Sequence, residues 1–234
     1  MEMQTHMKKV VLTILSALMI IGVSALLWDI FQTISTEAGR VEFQNTIMDM
    51  GPMGCLMLIG LNVAQIFLFF FPGEPIELLA GMCYGTLGGL IVIYVGVFIS
   101  SSIIFLLIRK VGKASVYDLI GKNKLERIEK SRIFNSNNAE KLLLLLFVMP
   151  GTPKDLLVYI GALLPVKASR FILLSTIFRF PGIITSTIVG ESLTEGDSRF
   201  ALFVYAVTIA ISLIVLFFLR KKDDIREIID INRE

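Results

Sequence analysis

Charged side chains occur at five places where the surrounding sequence is strongly apolar. The segment PGEPIELL (residues 72–79) holds two carboxylates, PGTPKDLL (150–157) holds an ammonium group and a carboxylate, and the apolar run 171–189 holds a guanidinium group. Lys and Arg bind anions, and the planar fork of Arg suits phosphate, while a neighbouring carboxylate accepts hydrogen bonds or a proton. These five residues are Glu74, Glu77, Lys154, Asp155 and Arg179.

Two interpretations of these charges are open. In the first, two bases and three acids neutralise one another in a buried network that only holds the backbone in place. In the second, Lys154 and Arg179 attract an anionic headgroup, while Glu77 and Asp155 titrate or form hydrogen bonds around it. Buried ion pairs add little stability compared with apolar packing, which makes a purely structural network the weaker explanation. We therefore predict that all five residues bind substrate.

The two charged segments resemble each other. They begin 78 residues apart and agree at five of eight positions, and Glu77 is matched by Asp155. Proline removes a helix donor and glycine permits a tight reversal, so each segment is suited to the apex of a hairpin. The predicted apex residues are Pro72, Gly73, Pro75, Pro150, Gly151 and Pro153.

Membrane helices are the elements that must position these charges. Hydrophobic residues make up 55% of the 234 residues, and the mean hydropathy is +0.77. A helix needs about 20 apolar residues to cross a bilayer, and the candidate runs are 10–28, 52–71, 86–108, 171–189 and 200–219. The cysteines lie singly in apolar segments and the one histidine lies in a polar tail, so the sequence predicts no metal site, no cofactor and no enzyme.

The distribution of Lys and Arg predicts which loops are cytoplasmic. Residues 109–141 carry nine bases against four acids, a net charge of +5, whereas residues 29–51 carry four acids and one base, a net charge of −3. Residues 190–198 hold three acids and no base. Because basic loops stay in the cytoplasm, we predict a multi-pass protein of the cell membrane, expected to be a bacterial inner membrane. Both termini and the 109–141 linker are then cytoplasmic, and residues 29–51 and 190–199 face outward.

This orientation predicts two re-entrant hairpins. A complete span at 52–71 would place the basic linker outside, whereas a hairpin over 52–85 keeps it in the cytoplasm. The apolar stretch 142–149 is too short to span, so the second hairpin enters from the cytoplasm and leaves through residues 156–164. The predicted fold is an all-α polytopic membrane protein with an inverted repeat of two re-entrant helical hairpins, each followed by a transmembrane helix, plus outer transmembrane helices.

Three parts of the chain follow from this organisation. Residues 1–51 form an N-terminal anchor and external loop, residues 52–192 form the membrane core with the basic linker, and residues 193–234 form a last span and a charged tail. The linker is predicted to contact anionic lipid rather than nucleic acid. Within the core, Gly81, Gly85 and Gly89 recur every four residues, which predicts a smooth helix face for close packing.

Two stretches resemble a known family. FPGEPIELLAGMCYGTLGGLIVIYVGVFISSSIIFLLIRKVG (71–112) and FVMPGTPKDLLVYIGALLPVKASRFILLSTIFRFPGIITSTIVG (147–190) are similar to the VTT-domain proteins of the DedA superfamily, also called SNARE-associated Golgi proteins. The resemblance covers roughly residues 50–192. It implies paired inverted re-entrant loops and a scramblase or a carrier of phosphorylated lipids such as undecaprenyl phosphate, with or without proton coupling.

The resemblance also assigns positions. Glu77 and Asp155 occupy hairpin positions at which such proteins place acidic or polar groups. Relatives often have an arginine just before the second hairpin's proline, but here that stretch is LFVMPG, so Lys154 or Arg179 is expected to replace it. We predict a translocase or scramblase whose partner is a membrane phospholipid or an isoprenoid lipid phosphate. The alternatives are a proton-coupled small-ion transporter and a membrane organiser that transports nothing.

Overall fold

A computed structural model of the chain describes residues 35–68, 72–112 and 154–220 without interruption, together with residues 22, 24, 25, 28–30, 32, 33, 143, 146 and 147. The helices whose ends are described are α1 (Glu37–Asp49), α2 (Pro52–Phe67), α3 (Glu74–Val111), α4 (Lys154–Gly161), α5 (Ala168–Phe178), α6 (Phe180–Thr194) and α7 (Ser198–Arg220). The predicted all-helical character is therefore confirmed for the described part of the chain. Most of the predicted span 10–28, of the 109–141 linker and of the second hairpin's first arm lies outside it.

The chain forms two compact units, and the boundary between them lies within α2, after Met57. The first contains α1, which occupies part of the predicted external loop 29–51. Thr36 begins α1 by accepting a hydrogen bond from the Gly39 N–H at 3.1 Å. The helix ends before Gly51, whose φ of 56° is accessible to glycine at little cost, and Pro52 then starts α2.

The second unit is built around α3, which is bent. Gly85 has φ 69° and ψ 178°, so the helix divides into a first segment ending at Tyr84 and a second segment beginning at Thr86. A Cβ atom at Gly89 would lie 2.7 Å from the Ala80 carbonyl carbon. Residues nine apart in a straight helix are separated by about 13 Å along the axis. The second segment therefore folds back against the first at Gly85.

The bend corrects the expectation for the glycine series. The prediction treated Gly81, Gly85 and Gly89 as one face of a continuous helix, but Gly85 is the point of reversal. Its two neighbours in the series do pack closely. Gly81 lies against the Thr187 backbone of α6, and Gly89 lies against the α3 backbone at Ala80.

The largest helix contact of the second unit is between α3 and α6. Gly190 of α6 fits against the Leu78 carbonyl, on the first segment of α3, where a side chain would collide. The other helices are arranged around this pair: α7 packs on α6, and both α4 and α5 pack on α3. Arg109 donates to the carbonyls of Leu164 and Val166 at 2.6 and 2.8 Å, which attaches the α4–α5 connection to the end of α3.

A break at Arg179 separates α5 from α6. The two helices meet at 40°, and together they are apolar enough to be one broken membrane span. Pro181, in the first turn of α6, lacks an N–H and clashes with the preceding turn, which accounts for the break. The expectation of one regular helix over 171–189 is therefore wrong at Arg179. The helix also continues to Thr194, into the stretch predicted to be an external loop.

By length and composition, one described helix, α3, is able to cross a membrane, and the bent α5–α6 pair would make a second span. Helix α2 and the first fourteen residues of α7 are apolar but shorter. The exposed face of α3 is apolar, as the exposed side chains of Leu87, Ile91, Phe98 and Leu106 show. The re-entrant arrangement and the inverted repeat stay predictions.

Candidate functional site: a buried cluster of opposite charges

Arg179 and Asp155 form a buried ion pair. Asp155 lies in the first turn of α4, and Arg179 occupies the break that ends α5 and begins α6. The guanidinium Nη1 donates to the Asp155 Oδ1 at 2.7 Å, and the side chains are only 5% and 13% exposed. The break that Pro181 imposes therefore brings the one charge of the 171–189 run beside a carboxylate of the second apex segment.

Two donors of the buried guanidinium are left over. Among the described residues, Nε and Nη2 of Arg179 have no hydrogen-bond partner, although both atoms are buried. The guanidinium carbon lies 5.5 Å from the centroid of the Phe147 ring, in a cation–π contact. Phe147 belongs to LFVMPG, the stretch that lacks a base and for which Lys154 or Arg179 was the predicted replacement. The structure thus brings the Arg179 charge to that stretch from α6.

Gln65, near the end of α2, holds the other oxygen of Asp155. Its Nε2 donates to Oδ2 at 2.9 Å, and the Gln65 side chain is 2% exposed. A Cβ atom at Gly73 would lie 3.2 Å from the Gln65 Oε1, so the same amide also lies against the first apex. The Tyr159 hydroxyl of α4 donates to the Phe67 carbonyl at 3.1 Å. The end of α2 is therefore joined to α4 at two places.

Lys154 and Glu77 form the second part of the cluster. Glu77 is half-buried, its strongest charged neighbour is Lys154, and it is within hydrogen-bonding reach of Ser186 on α6. The Lys154 ammonium lies against Gly182, in the space that a side chain there would fill. Glu77, Arg179, Glu74 and Asp155 all act electrostatically on Lys154. The structure therefore brings the five predicted substrate-binding residues together, with Glu74 at the exposed edge.

The apex residues are described only for the first segment. Pro72 is exposed, Gly73 caps the start of α3, and Pro75 lies in the first turn, where its missing N–H leaves no helical bond unmade. Pro150, Gly151 and Pro153 lie outside the described residues. Their assignment as an apex stays a prediction, as does a polar cavity shared by Glu77, Asp155 and Arg179.

Three residues of the cluster region were not among the predicted site residues. Gln65 was visible only as an amide in an apolar run, and Ser186 carried no signal in its sequence context. Tyr205 of α7 interacts electrostatically with Glu74 and Glu77, although it lies beyond the predicted core. A signal for the α5–α6 break was present: Pro181-Gly182 repeats the Pro-Gly pair of the two apex segments.

The arrangement favours anion binding over acid–base catalysis. Asp155 accepts one hydrogen bond at each oxygen, from Arg179 and from Gln65, while Nε and Nη2 of Arg179 have no partner among the described residues and Lys154 lies near Glu77. The two guanidinium nitrogens without a described partner, together with a nearby ammonium, match the oxygens of a phosphate group. A surface depression along α1, lined by Glu37, Val41, Glu42 and Asn45 among others, includes none of these groups.

Comparison with known proteins identifies the family. The model of the VTT domain matches residues 71–192, more than half of the 234-residue chain. No curated protein and no solved structure matches the chain. The matched region contains α3, α4, α5 and most of α6. All five charged residues lie within it: Glu74 and Glu77 on α3, Lys154 and Asp155 on α4, and Arg179 at the break between α5 and α6. The chain therefore belongs to the VTT-domain family of membrane proteins, the DedA and SNARE-associated Golgi protein superfamily.

Proposed function

We propose that this chain is a lipid translocase or scramblase. It moves the phosphorylated headgroup of a membrane lipid past the cluster of Lys154, Asp155 and Arg179, while the acyl or isoprenoid chains remain in the bilayer. Passage through hydrocarbon alone would expose the phosphate charge to a medium that cannot solvate it, and a site with fixed cationic donors lowers that penalty. Membership of the DedA type supports a transport-related role.

The observation that carries this proposal is the state of Arg179. A side chain that is 5% exposed retains two buried donor nitrogens, Nε and Nη2, without a partner among the described residues. Leaving a buried donor unsatisfied costs about 1–3 kcal/mol, more for charged groups. A purely structural pair would be expected to satisfy both sides of the guanidinium. A phosphate oxygen that reaches Nε and Nη2 would satisfy them.

The carboxylates have a separate part in the proposed cycle. Asp155 fixes the orientation of the guanidinium through Nη1, and Gln65 fixes Asp155 in turn. Glu77 balances the Lys154 charge when no phosphate is present, and Lys154 is drawn toward the phosphate when one arrives. The cluster therefore holds an anion without ever leaving two buried cations unbalanced.

We also propose the orientation inferred from the loop charges: cell membrane, both termini cytoplasmic, with the two apex segments entering from opposite sides. The reversal of α3 at Gly85 supports a hairpin formed by α2 and the first segment of α3, followed by a span from Thr86 to the end of α3. The attachment of α2 to α4 through Gln65 and Tyr159 supports an approach of the two hairpins.

The test is lipid redistribution in proteoliposomes. Lipids with a fluorescent acyl chain and either a phosphate-bearing or an uncharged headgroup are compared, with the outer leaflet read by chemical quenching. Wild-type protein should move the phosphate-bearing lipid at least tenfold faster than empty vesicles. Arg179→Gln combined with Asp155→Asn removes the fork without leaving an unbalanced buried charge, and it should abolish this movement. Arg199→Gln, on an exposed arginine of α7, is the matched control and should leave it unchanged.

The same vesicles separate the alternatives. A proton-coupled small-ion transporter would acidify or alkalise vesicles that contain a pH-sensitive dye, and it would leave the fluorescent lipid in place. The approach of Glu77 to Lys154 is the feature that favours this second candidate, since such a pair can exchange a proton for a cation. A membrane organiser would show neither activity. Normal lipid movement in the Asp155→Asn/Arg179→Gln variant would overturn the proposed role of the cluster.

A further inference from the structure

Glu191 lies at the bend of α3, although its sequence position suggested an external acidic loop. It is in the last turn of α6, and its carboxylate accepts a hydrogen bond from the Thr86 N–H at 3.0 Å. The Thr86 hydroxyl donates to the same oxygen, Oε2. The other oxygen, Oε1, would lie 2.9 Å from a Cβ atom at Gly85. The carboxylate therefore contacts both residues at which α3 reverses.

Thr86 is the residue at which the second segment of α3 begins. The first N–H groups of a helix have no partner inside the helix, and a negative charge there is favourable because of the helix dipole. The cap is normally supplied by the residue just before the helix. Here that residue is Gly85, which has no side chain, and the cap comes from a residue 105 positions away.

Helix α6 links this cap to the charged cluster. Arg179 lies at the start of this helix, and the Lys154 ammonium packs against Gly182 one turn later. Ser186 lies within hydrogen-bonding distance of Glu77, and Glu191 in the last turn caps Thr86. The first segment of α3, which carries Glu77, runs from the cluster to the bend beside α6. A change in the bend therefore changes where Glu77 lies relative to Lys154.

We propose that Glu191 is a positioning residue that holds the Gly85 bend of α3 and thereby sets Glu77 against Lys154. The effect of the bend on Glu77 and Lys154 rests on the proposed function, whereas the capping of Thr86 by Glu191 is a property of the fold. Glu191 does not contact the predicted substrate-binding residues, and it acts through Thr86 and the first segment of α3.

Hydrogen–deuterium exchange in lipid nanodiscs tests the cap directly, followed by mass spectrometry of peptides that span residues 81–92. Glu191→Leu should make the amides of the first turn after Gly85 exchange about fivefold faster, the factor expected for the loss of a helix cap. Glu191→Gln keeps one carbonyl acceptor for the Thr86 N–H and should give a smaller increase. Glu195→Gln, on the exposed cap residue that follows α6, is the matched control and should leave this peptide unchanged.

A second variant keeps the test informative if Glu191→Leu does not fold. Thr86→Val removes the hydroxyl but keeps the N–H, so it should accelerate exchange less than Glu191→Leu does. The double variant Thr86→Val/Glu191→Gln should accelerate exchange by less than the two single variants would together, because both changes act on one contact. Unchanged exchange at 81–92 in Glu191→Gln and Thr86→Val would overturn the cap.

The coupling to the cluster is measured as the lipid-movement rate against lipid concentration. Loss of the bend should lower the maximal rate about fivefold in Glu191→Leu, lower it less in Glu191→Gln, and leave it unchanged in Glu195→Gln. Faster exchange with an unchanged maximal rate would overturn the positioning role. If the wild-type protein moves no lipid, the proposed function fails, but the exchange result still decides whether Glu191 caps the bend.

Discussion

The contribution of the Arg179–Asp155 pair to folding stability can be measured separately from its proposed role in anion binding. Its side chains are 5% and 13% exposed, so removing either partner leaves a buried charge without compensation. Removing both leaves two neutral polar groups of similar size. This difference decides whether a defect in a variant reflects folding or anion binding.

Asp155→Asn and Arg179→Gln should each lower the free energy of unfolding by about 3 kcal/mol, the lower end for breaking a buried pair. The double variant should lose clearly less than the sum. Thermal or denaturant unfolding in a mild detergent measures all three, with Arg199→Gln as a neutral control at an exposed position. Additive losses would show that the two side chains do not stabilise each other.

Gln65 is the other partner of Asp155. Gln65→Met keeps the length of the side chain but removes the donor to Oδ2, so the protein should lose about 1–2 kcal/mol of unfolding free energy. Gln65→Glu should lose more, because it places a second carboxylate against Asp155. The same methionine change at exposed Gln32 is the control. Equal unfolding curves for wild type and Gln65→Glu would contradict the hydrogen bond.

At the scale of elements, two interruptions in helices position the charges. Pro181 breaks the run that would otherwise bury Arg179 in the middle of a regular helix, and Gly85 reverses α3 so that its first segment lies beside α6. Both interruptions lie next to charged side chains from another element, Asp155 in one case and Glu191 in the other.

Gly85→Ala should therefore destabilise the fold. The φ of 69° with ψ of 178° belongs to a region that is almost restricted to glycine, and occupying it with another residue costs about 1–3 kcal/mol. Gly60→Ala, in the exposed face of α2 where nothing lies near an added Cβ, should be neutral or stabilising by up to about 1 kcal/mol. The comparison of unfolding midpoints checks this, and equal midpoints for the two variants would rule out the strained backbone at Gly85.

At the scale of the whole molecule, the orientation in the membrane follows from loop charge. A cysteine introduced at Asn137, in the basic linker outside the described residues, should react with a membrane-impermeant thiol reagent only after the cells are permeabilised. A cysteine at Glu195, in the turn between α6 and α7, should react in intact cells. The native cysteines Cys55 and Cys83 are replaced by alanine in both cases. Labelling at 137 from outside would reverse the proposed topology.

The sequence alone determined the class of protein and the membership of the charged cluster. Apolar runs and isolated charges are read directly from the order of residue types, so that they can be found without knowledge of any spatial contact. That is why Glu74, Glu77, Lys154, Asp155 and Arg179 were identified before any contact was known. The Pro-Gly pairs predicted interrupted backbone, and the first of them does begin α3.

The tertiary structure decided which partners these residues have. The Gln65–Asp155 contact joins residues 90 positions apart and the Glu191–Thr86 contact joins residues 105 apart, and no periodicity encodes such pairs. The hairpin predicted over 52–85 required a turn before the span at 86, but the turn was not assigned to Gly85, since a glycine that permits a positive φ also fits a packed helix face. Only the packing of α6 on α3 selects the reversal, and that packing depends on close backbone contact at Gly81 and Gly190.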